Sequence, residues 1–370
     1  LKTTSEKNTD IQILRAIAIL LVIAQHIRSR LPTPQAYHEI FDHVTFWPGV
    51  DIFFAISGFL ICKTFFRDMQ TSQTKTSAIK SFWIRRVARL LPAVVFWGVT
   101  SIAISFYTSS YPNTNPSLVA KSALTGILGV SNIYWASCVQ FALECGSADY
   151  NAVTWSLSLE WQLYALSTLL FVATGFRKGI IILAAISIIM SFLPSPSFSF
   201  PWVFRPQAFV IGALIFLIGT EKSKALNPSA NIALLFTGLL ICLLSPINIP
   251  QPFTVPAISV GAGLCLYSTL GGSSIPPLIG GFFSWIGERS YSIYLCHLPM
   301  ILFSREILNT LSLTAPSNIN FFIGIVIATA LIAFMSEASY KFIELPFQRK
   351  LSNRRPEINL ATQQTTTPQL

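Results

Sequence analysis

Apolar residues dominate ten stretches of the chain, at approximately 11–28, 46–66, 91–108, 153–174, 179–194, 207–219, 230–245, 254–270, 284–303 and 319–342. Crossing about 30 Å of hydrocarbon at ~1.5 Å per residue takes roughly 20 residues of helix. Backbone N–H and C=O groups in lipid must bond within the segment, so such stretches predict helices rather than open strands. The pattern therefore predicts an all-α, polytopic integral membrane protein with about ten transmembrane helices. An eleventh stretch, 117–135, carries Lys121, Ser122, Thr125, Ser131 and Asn132, which are costly facing lipid, and is expected to be re-entrant or interfacial. The run 11–27 is longer than the apolar region of a secretory signal, and Gln25-His26-Ile27-Arg28 is no small-residue cleavage site, so it reads as a retained first helix. Residues 1–350 form one membrane domain, and the polar, Thr- and Gln-rich tail 351–370 is expected to be disordered.

Composition supports this picture. Hydrophobic residues make up 52% of the 370, and charged residues 11%, less than half the ~25% usual in soluble proteins, which excludes a soluble enzyme. A net charge of +10 would suggest a nucleic-acid partner in a soluble protein. In a polytopic membrane protein it reflects Lys and Arg retained in cytoplasmic loops, so no nucleic-acid partner is expected. With both termini cytoplasmic and 117–135 not spanning, the cluster Lys75, Lys80, Arg85, Arg86 and Arg89 falls inside. So do Arg177/Lys178, Lys222/Lys224 and Arg349/Lys350/Arg354/Arg355, while Arg28, Arg30 and Arg305 are exceptions on the outer side. The loops 136–152 and 195–206 are then external. Cys138 and Cys145 share the first of these, where an oxidising compartment permits a disulfide; the spacing alone leaves the pairing open.

Ionisable residues inside spans are costly enough to mark function. Arg15 and His26 lie eleven positions apart, which puts them on one helical face about 16 Å apart. His26 near the outer end of the first span and Asp51 near the start of the second fall at similar depth. A carboxylate on one imidazole nitrogen would fix the tautomer and leave the other nitrogen as a general base; alternatively the two only satisfy each other, or His26 sits at the wet interface. Arg85, Arg86 and Arg89 share a helical face suited to phosphates, or serve as a positive-inside anchor. Glu160 is either a second site carboxylate or a structural hydrogen-bond partner. Tyr291, Tyr294 and His297 share a face that lines a cavity or fills a polar seam between helices. There is no phosphate loop, GxSxG elbow, HExxH or zinc-spaced His/Cys cluster, so no metal is expected.

Five motifs in order carry a resemblance. They are Arg15-(ten residues)-His26, the stretch Gly49-Val50-Asp51-Ile52-Phe53-Phe54-Ala55-Ile56-Ser57-Gly58-Phe59-Leu60-Ile61, Arg85-Arg86-Val87-Ala88-Arg89-Leu90-Leu91-Pro92, Trp155-Ser156-Leu157-Ser158-Leu159-Glu160 and Ser290-Tyr291-Ser292-Ile293-Tyr294-Leu295-Cys296-His297. Together they resemble the bacterial acyltransferase-3 family of membrane O-acyltransferases over approximately residues 8–350. The resemblance implies a ten-helix domain that takes an acyl group, usually acetyl, from cytoplasmic acyl-CoA. It delivers the group to a hydroxyl of a glycan such as lipopolysaccharide O-antigen or another surface polysaccharide, in a bacterial inner membrane. It implies His26 as the catalytic histidine, Asp51 as a site acid, Arg15 on the donor side, and Arg85, Arg86 and Arg89 on the phosphates of acetyl-CoA, a co-substrate rather than a resident cofactor; Glu160 is kept beside these as a further catalytic candidate from its place in the helix. Ser57, Trp155, Tyr291, Tyr294 and His297 are expected to line the substrate cavity. Some members continue into an extracytoplasmic esterase-like domain with no counterpart in this sequence, which leaves open a stand-alone member or the membrane half of a longer protein. A rival reading is a transporter of a glycan or lipid-linked intermediate, against which stands the lack of an evident inverted repeat.

Overall fold

The computed structural model describes residues 8–108, 114–219, 227–271 and 277–352. Lys222, Lys224, Arg354, Arg355 and nearly all of the expected tail lie outside these residues. Among them the regular structure is entirely helical. Helices α1 (Thr9–Ile27), α2 (Gln35–His43), α3 (Gly49–Thr71) and α4 (Lys75–Ser105) are followed by α5 (Pro116–Ile127) and α6 (Ser131–Gln140). Then come α7 (Thr154–Thr174), α8 (Phe176–Met190), the single turn α9 (Phe200–Val203) and α10 (Gln207–Ile218). The chain continues through α11 (Pro228–Asn248), α12 (Thr254–Ser268), α13 (Pro277–Thr310) and α14 (Asn318–Ser339), a π-helical turn Tyr340–Glu344, and α15 (Leu345–Ser352).

Each of the ten apolar stretches is helical, but they differ in reach. Six segments are long and apolar enough to cross a membrane by length and composition: Thr9–Ile27, Gly49–Thr71, Lys75–Ser105, Phe200–Ile218, Pro228–Asn248 and Asn318–Lys350. With 15 residues, α8 and α12 each span only about 22 Å. The first two turns of α7 carry Ser156, Ser158 and Glu160, and α13 carries Glu288, Arg289 and a run of serines, which lowers their hydropathy. Outward-facing positions are apolar, with Val99, Leu169, Ile181, Phe236 and Phe334 all exposed, while serines, threonines and the charged pairs are buried inside. An apolar exterior, with the serines, threonines and charged pairs of the helices turned inward among an apolar core, is the arrangement of a multi-pass membrane protein. The 117–135 stretch breaks at Gly129, whose φ of +71° ends α5 before α6 begins, so neither short helix crosses.

Relative directions follow from side-chain pairings. Along α1 and α13, Gln12 meets Gly287, Arg15 meets Ser290 and His26 meets His297, so the two helices run parallel. A Cβ on Gly287 would lie 1.9 Å from the carbonyl oxygen of Gln12, so glycine is what allows this approach and fixes the register. Helix α3 runs parallel to α7, with Phe54 on Trp155, Ser57 on Glu160 and Phe65 on Phe171. It also runs parallel to α10, with Asp51 on Arg205 before it and Gly58 and Gly212 in a reciprocal close crossing where either Cβ would meet a backbone oxygen at about 2 Å. The start of α3, the end of α1 and the loops before α7 and α10 are thereby gathered at one end of the bundle.

Candidate active site

A cavity lies between α1, α3, α4, α7 and α13. Arg15, Arg86 and Arg89 line it, with Glu160 as the one carboxylate, so three guanidiniums face one acidic group. Arg15 donates from Nε to Ser290 Oγ at 3.1 Å. Arg86 donates to Thr64 Oγ1 at 3.0 Å and sits over the rings of Phe82 and Tyr164, 5.5 Å from each centroid. Arg89 has no hydrogen-bond or ion-pair partner among the described residues. Glu160 accepts from Ser57 Oγ and from the hydroxyl of Tyr164, one turn further along its own helix. A cavity with this excess of cations in a low-dielectric interior is built to receive anionic groups, and guanidinium forks suit phosphate oxygens in particular.

The third arginine of the α4 motif turns elsewhere. Arg85 pairs with the buried Asp68 at the end of α3 and does not line the cavity. Arg85 and Arg86 project about 100° apart around the helix, so a shared motif need not mean a shared destination.

At the other end of the cavity Tyr294 is tied down by Ser156 at 2.7 Å and by donation to the carbonyl of Val153 at 3.0 Å. Tyr291 donates to the carbonyl of Leu90 at 2.7 Å. Beyond Tyr294, whose ring centroid is 5.7 Å from that of His297, stands a pair of histidines. His26 Nδ1 lies 2.9 Å from His297 Nε2, with the rings stacked at 5.0 Å. Neither histidine is among the residues that line the cavity. The end of α1 that carries His26 is anchored twice. The Gln25 side chain accepts the backbone N–H groups of Phe46 and Trp47, and Arg30 donates to the carbonyl of His26 and to Asp149. Asp149 follows shortly after Cys145, which forms a disulfide with Cys138 and so answers the pairing left open by spacing.

The expected contact between His26 and Asp51 is not formed. Both Asp51 oxygens accept from Arg205, at 2.9 and 3.0 Å, in a pair only 1% exposed on each side. A bidentate guanidinium engages both carboxylate oxygens at once, which gives Asp51 a fixed partner other than an imidazole. Arg205 also donates to the carbonyl of Trp202 and is enclosed by Trp47, Phe54, Trp155 and Trp202. Trp155 belongs to that aromatic cage rather than to the cavity wall. Of the expected lining residues, Ser57, Tyr291 and Tyr294 do face the cavity.

Sequence reasoning passed over Arg205, Tyr164, Ser290 and Glu344. Glu344, buried in the π-helical turn, accepts from Ser292, next to the cavity residue Tyr291. The signal for Arg205 was present, an isolated charge between the apolar Phe204 and the first turn of α10, but it falls in a segment that reads as an external loop.

Residues 8–337 match the acyltransferase domain family. The chain belongs to the acyltransferase-3 family. Among curated proteins it is 28% identical to the peptidoglycan O-acetyltransferase OatA of Listeria monocytogenes, covering 91% of this chain and 55% of that protein. A putative O-acetyltransferase of Staphylococcus aureus is 29% identical over 93% of this chain and 58% of its own length. The O-acetyltransferase OatA of the same species is 27% identical, over 91% and 56% respectively. The chain thus spans between half and three fifths of the length of these relatives. No solved structure matches it.

Proposed function

We propose that this membrane acyltransferase moves an acetyl group from acetyl-CoA, bound from the cytoplasmic side of a bacterial inner membrane, to a hydroxyl of a cell-envelope carbohydrate. The observation that carries this reading is the cavity. Its three guanidiniums suit the phosphates of a coenzyme, and it extends to Tyr294, beside the one histidine pair of the interior. The space is lined by side chains from five helices, with the rings of Phe53, Phe54, Tyr164, Tyr291 and Tyr294 among them. That suits a slender pantetheine arm. Arg86 and Arg89 hold phosphates, and Arg15 receives the arm further in. The thioester is presented towards His26, and Tyr294 shifts to admit it.

In this mechanism His26 Nε2 takes the proton of the acceptor hydroxyl while that oxygen attacks the thioester carbonyl. The C–S bond then breaks, and the leaving thiolate takes the proton back from the imidazole, so no resident cofactor or metal is needed. Glu160 shapes the cavity through Ser57 and Tyr164 rather than acting at His26. The relatives' names make peptidoglycan the first acceptor to test, ahead of lipopolysaccharide O-antigen. Purified protein in lipid nanodiscs, given acetyl-CoA and peptidoglycan fragments, is expected to release free coenzyme A with one acetyl added per transfer, read by thiol assay and mass spectrometry. His26→Ala is expected to lose this by at least roughly 10²-fold. Passage of a glycan across the bilayer with no coenzyme released would establish the transporter instead.

A further inference from the structure

We infer that His297 is a positioning residue for the transfer, holding His26 in the tautomer whose Nε2 is free to accept a proton. The inference rests on the proposed role of His26 as the base. Hydrogen-bond inventory gives the assignment. His297 is fully buried, and its Nδ1 lies 2.8 Å from the carbonyl oxygen of Tyr294 and 3.2 Å from that of Ile293. Carbonyl oxygens only accept, so Nδ1 carries the hydrogen, and in a neutral imidazole Nε2 must then be the acceptor. The group 2.9 Å from that Nε2 is Nδ1 of His26, which therefore donates. The single hydrogen of a neutral His26 is thereby placed on Nδ1, and its Nε2 keeps the lone pair. The opposite tautomer of His26 would set two lone pairs against each other.

A cation on His297 would reverse the donor and acceptor, but it would be a buried charge with no counter-ion. Of the carboxylates at this end of the bundle, Asp51 is held at both oxygens by Arg205 and Asp149 by Arg30. Arg30 itself adds positive charge beside the pair, donating to the His26 carbonyl at 2.9 Å. The neutral arrangement is the one the surroundings support. It performs with two imidazoles what a carboxylate usually does behind a catalytic histidine. When His26 accepts a proton at Nε2, its Nδ1–H bond to His297 Nε2 becomes charge-assisted and strengthens. The close, glycine-permitted register of α1 on α13 sets both rungs, Arg15 on Ser290 and His26 on His297.

Nitrogen-15 NMR of histidine-labelled protein reads the tautomer without any acceptor, and the chain has only 4 histidines to assign. The expected result is an Nδ1–H signal for His26 with a scalar coupling across the hydrogen bond to His297 Nε2. An Nε2–H tautomer for neutral His26 overturns the inference. Kinetics give the second test. His297→Gln retains an acceptor oxygen near the ε position and is expected to keep at least about a tenth of kcat. His297→Phe is expected to lose roughly 10²-fold in kcat with acetyl-CoA affinity unchanged. Equal losses in the two variants, or a His297→Phe protein within threefold of wild type while His26→Ala is inactive, would assign His297 to packing. A fully active His26→Ala would instead sink the underlying reading of the base.

Discussion

Arg205 is separated from Asp51 by 154 positions, and nothing in the local sequence of either residue names the other. Sequence could show that Asp51 was an expensive residue needing a partner; it offered His26 because the two share a depth, and depth is a weak constraint in a bundle of many helices. The bundle instead supplies a guanidinium inside an aromatic cage. This geometry gives Asp51 a structural part that can be separated from chemistry. Breaking a buried pair leaves an uncompensated charge and costs about 3–5 kcal/mol, whereas replacing both partners with apolar residues of similar size is often neutral. Asp51→Asn and Arg205→Met alone are therefore expected to lower the thermal unfolding midpoint markedly in detergent, and the double variant Asp51→Leu/Arg205→Met to recover most of it. If the recovered double variant transfers acetyl at near wild-type rate, Asp51 acts only through folding. A stable but inactive double variant would return the carboxylate to the chemistry.

Helix periodicity made the arginine face of α4 legible, and hydropathy located all ten apolar helices, because both depend on the segment alone. Hydropathy did not register α2, an amphipathic helix of 9 residues, or the π-helical turn that buries Glu344, since both are short and polar and gain their place from neighbours. Helix ends were less legible for a related reason: the apolar runs 179–194 and 254–270 end beyond α8 and α12, because an apolar run records that a segment avoids water, not where its helix stops. The partner of each α4 arginine was equally out of view. Arg85 belongs to Asp68 on α3, and Arg86 and Arg89 belong to the cavity, so the motif divides into a helix–helix brace and a cavity wall. Arg86→Ala and Arg89→Ala are each expected to weaken coenzyme A binding by roughly 10- to 100-fold, the value of a charge-assisted hydrogen bond or two. Arg85→Ala should leave that affinity within about threefold and lower thermal stability instead. Titration calorimetry on the three purified single variants distinguishes the roles, and equal losses in all three would mean that Arg85 also reaches the phosphates.

Alternation of ten spans assigns the first and ninth apolar helices one direction and the second, fourth and sixth the other. The structure contains those relationships: α1 runs parallel to α13, and α3 runs parallel to both α7 and α10. The loop with the Cys138–Cys145 disulfide and the loop before α10 meet the His26 end of the bundle, through Arg30 on Asp149 and Asp51 on Arg205. At the opposite end Arg85 pairs with Asp68, and Phe66 packs on Phe176 at 5.1 Å, two residues before Lys178. A donor bound at the arginines and an acceptor met at His26 would therefore approach from different faces, which is what a reaction across a membrane requires. The prediction is that Ser197→Cys reacts with a membrane-impermeant maleimide on intact spheroplasts, while Lys178→Cys reacts only after the membrane is opened. The free cysteines Cys62, Cys242, Cys265 and Cys296 are buried and give a low background, and Cys138 and Cys145 are closed to alkylation as a disulfide. Labelling of both positions from the same side would break the alternation and put the donor and the acceptor on one face. The arginine cavity would then have to open beside His26, and the separation of the two sites along α1 would lose its purpose.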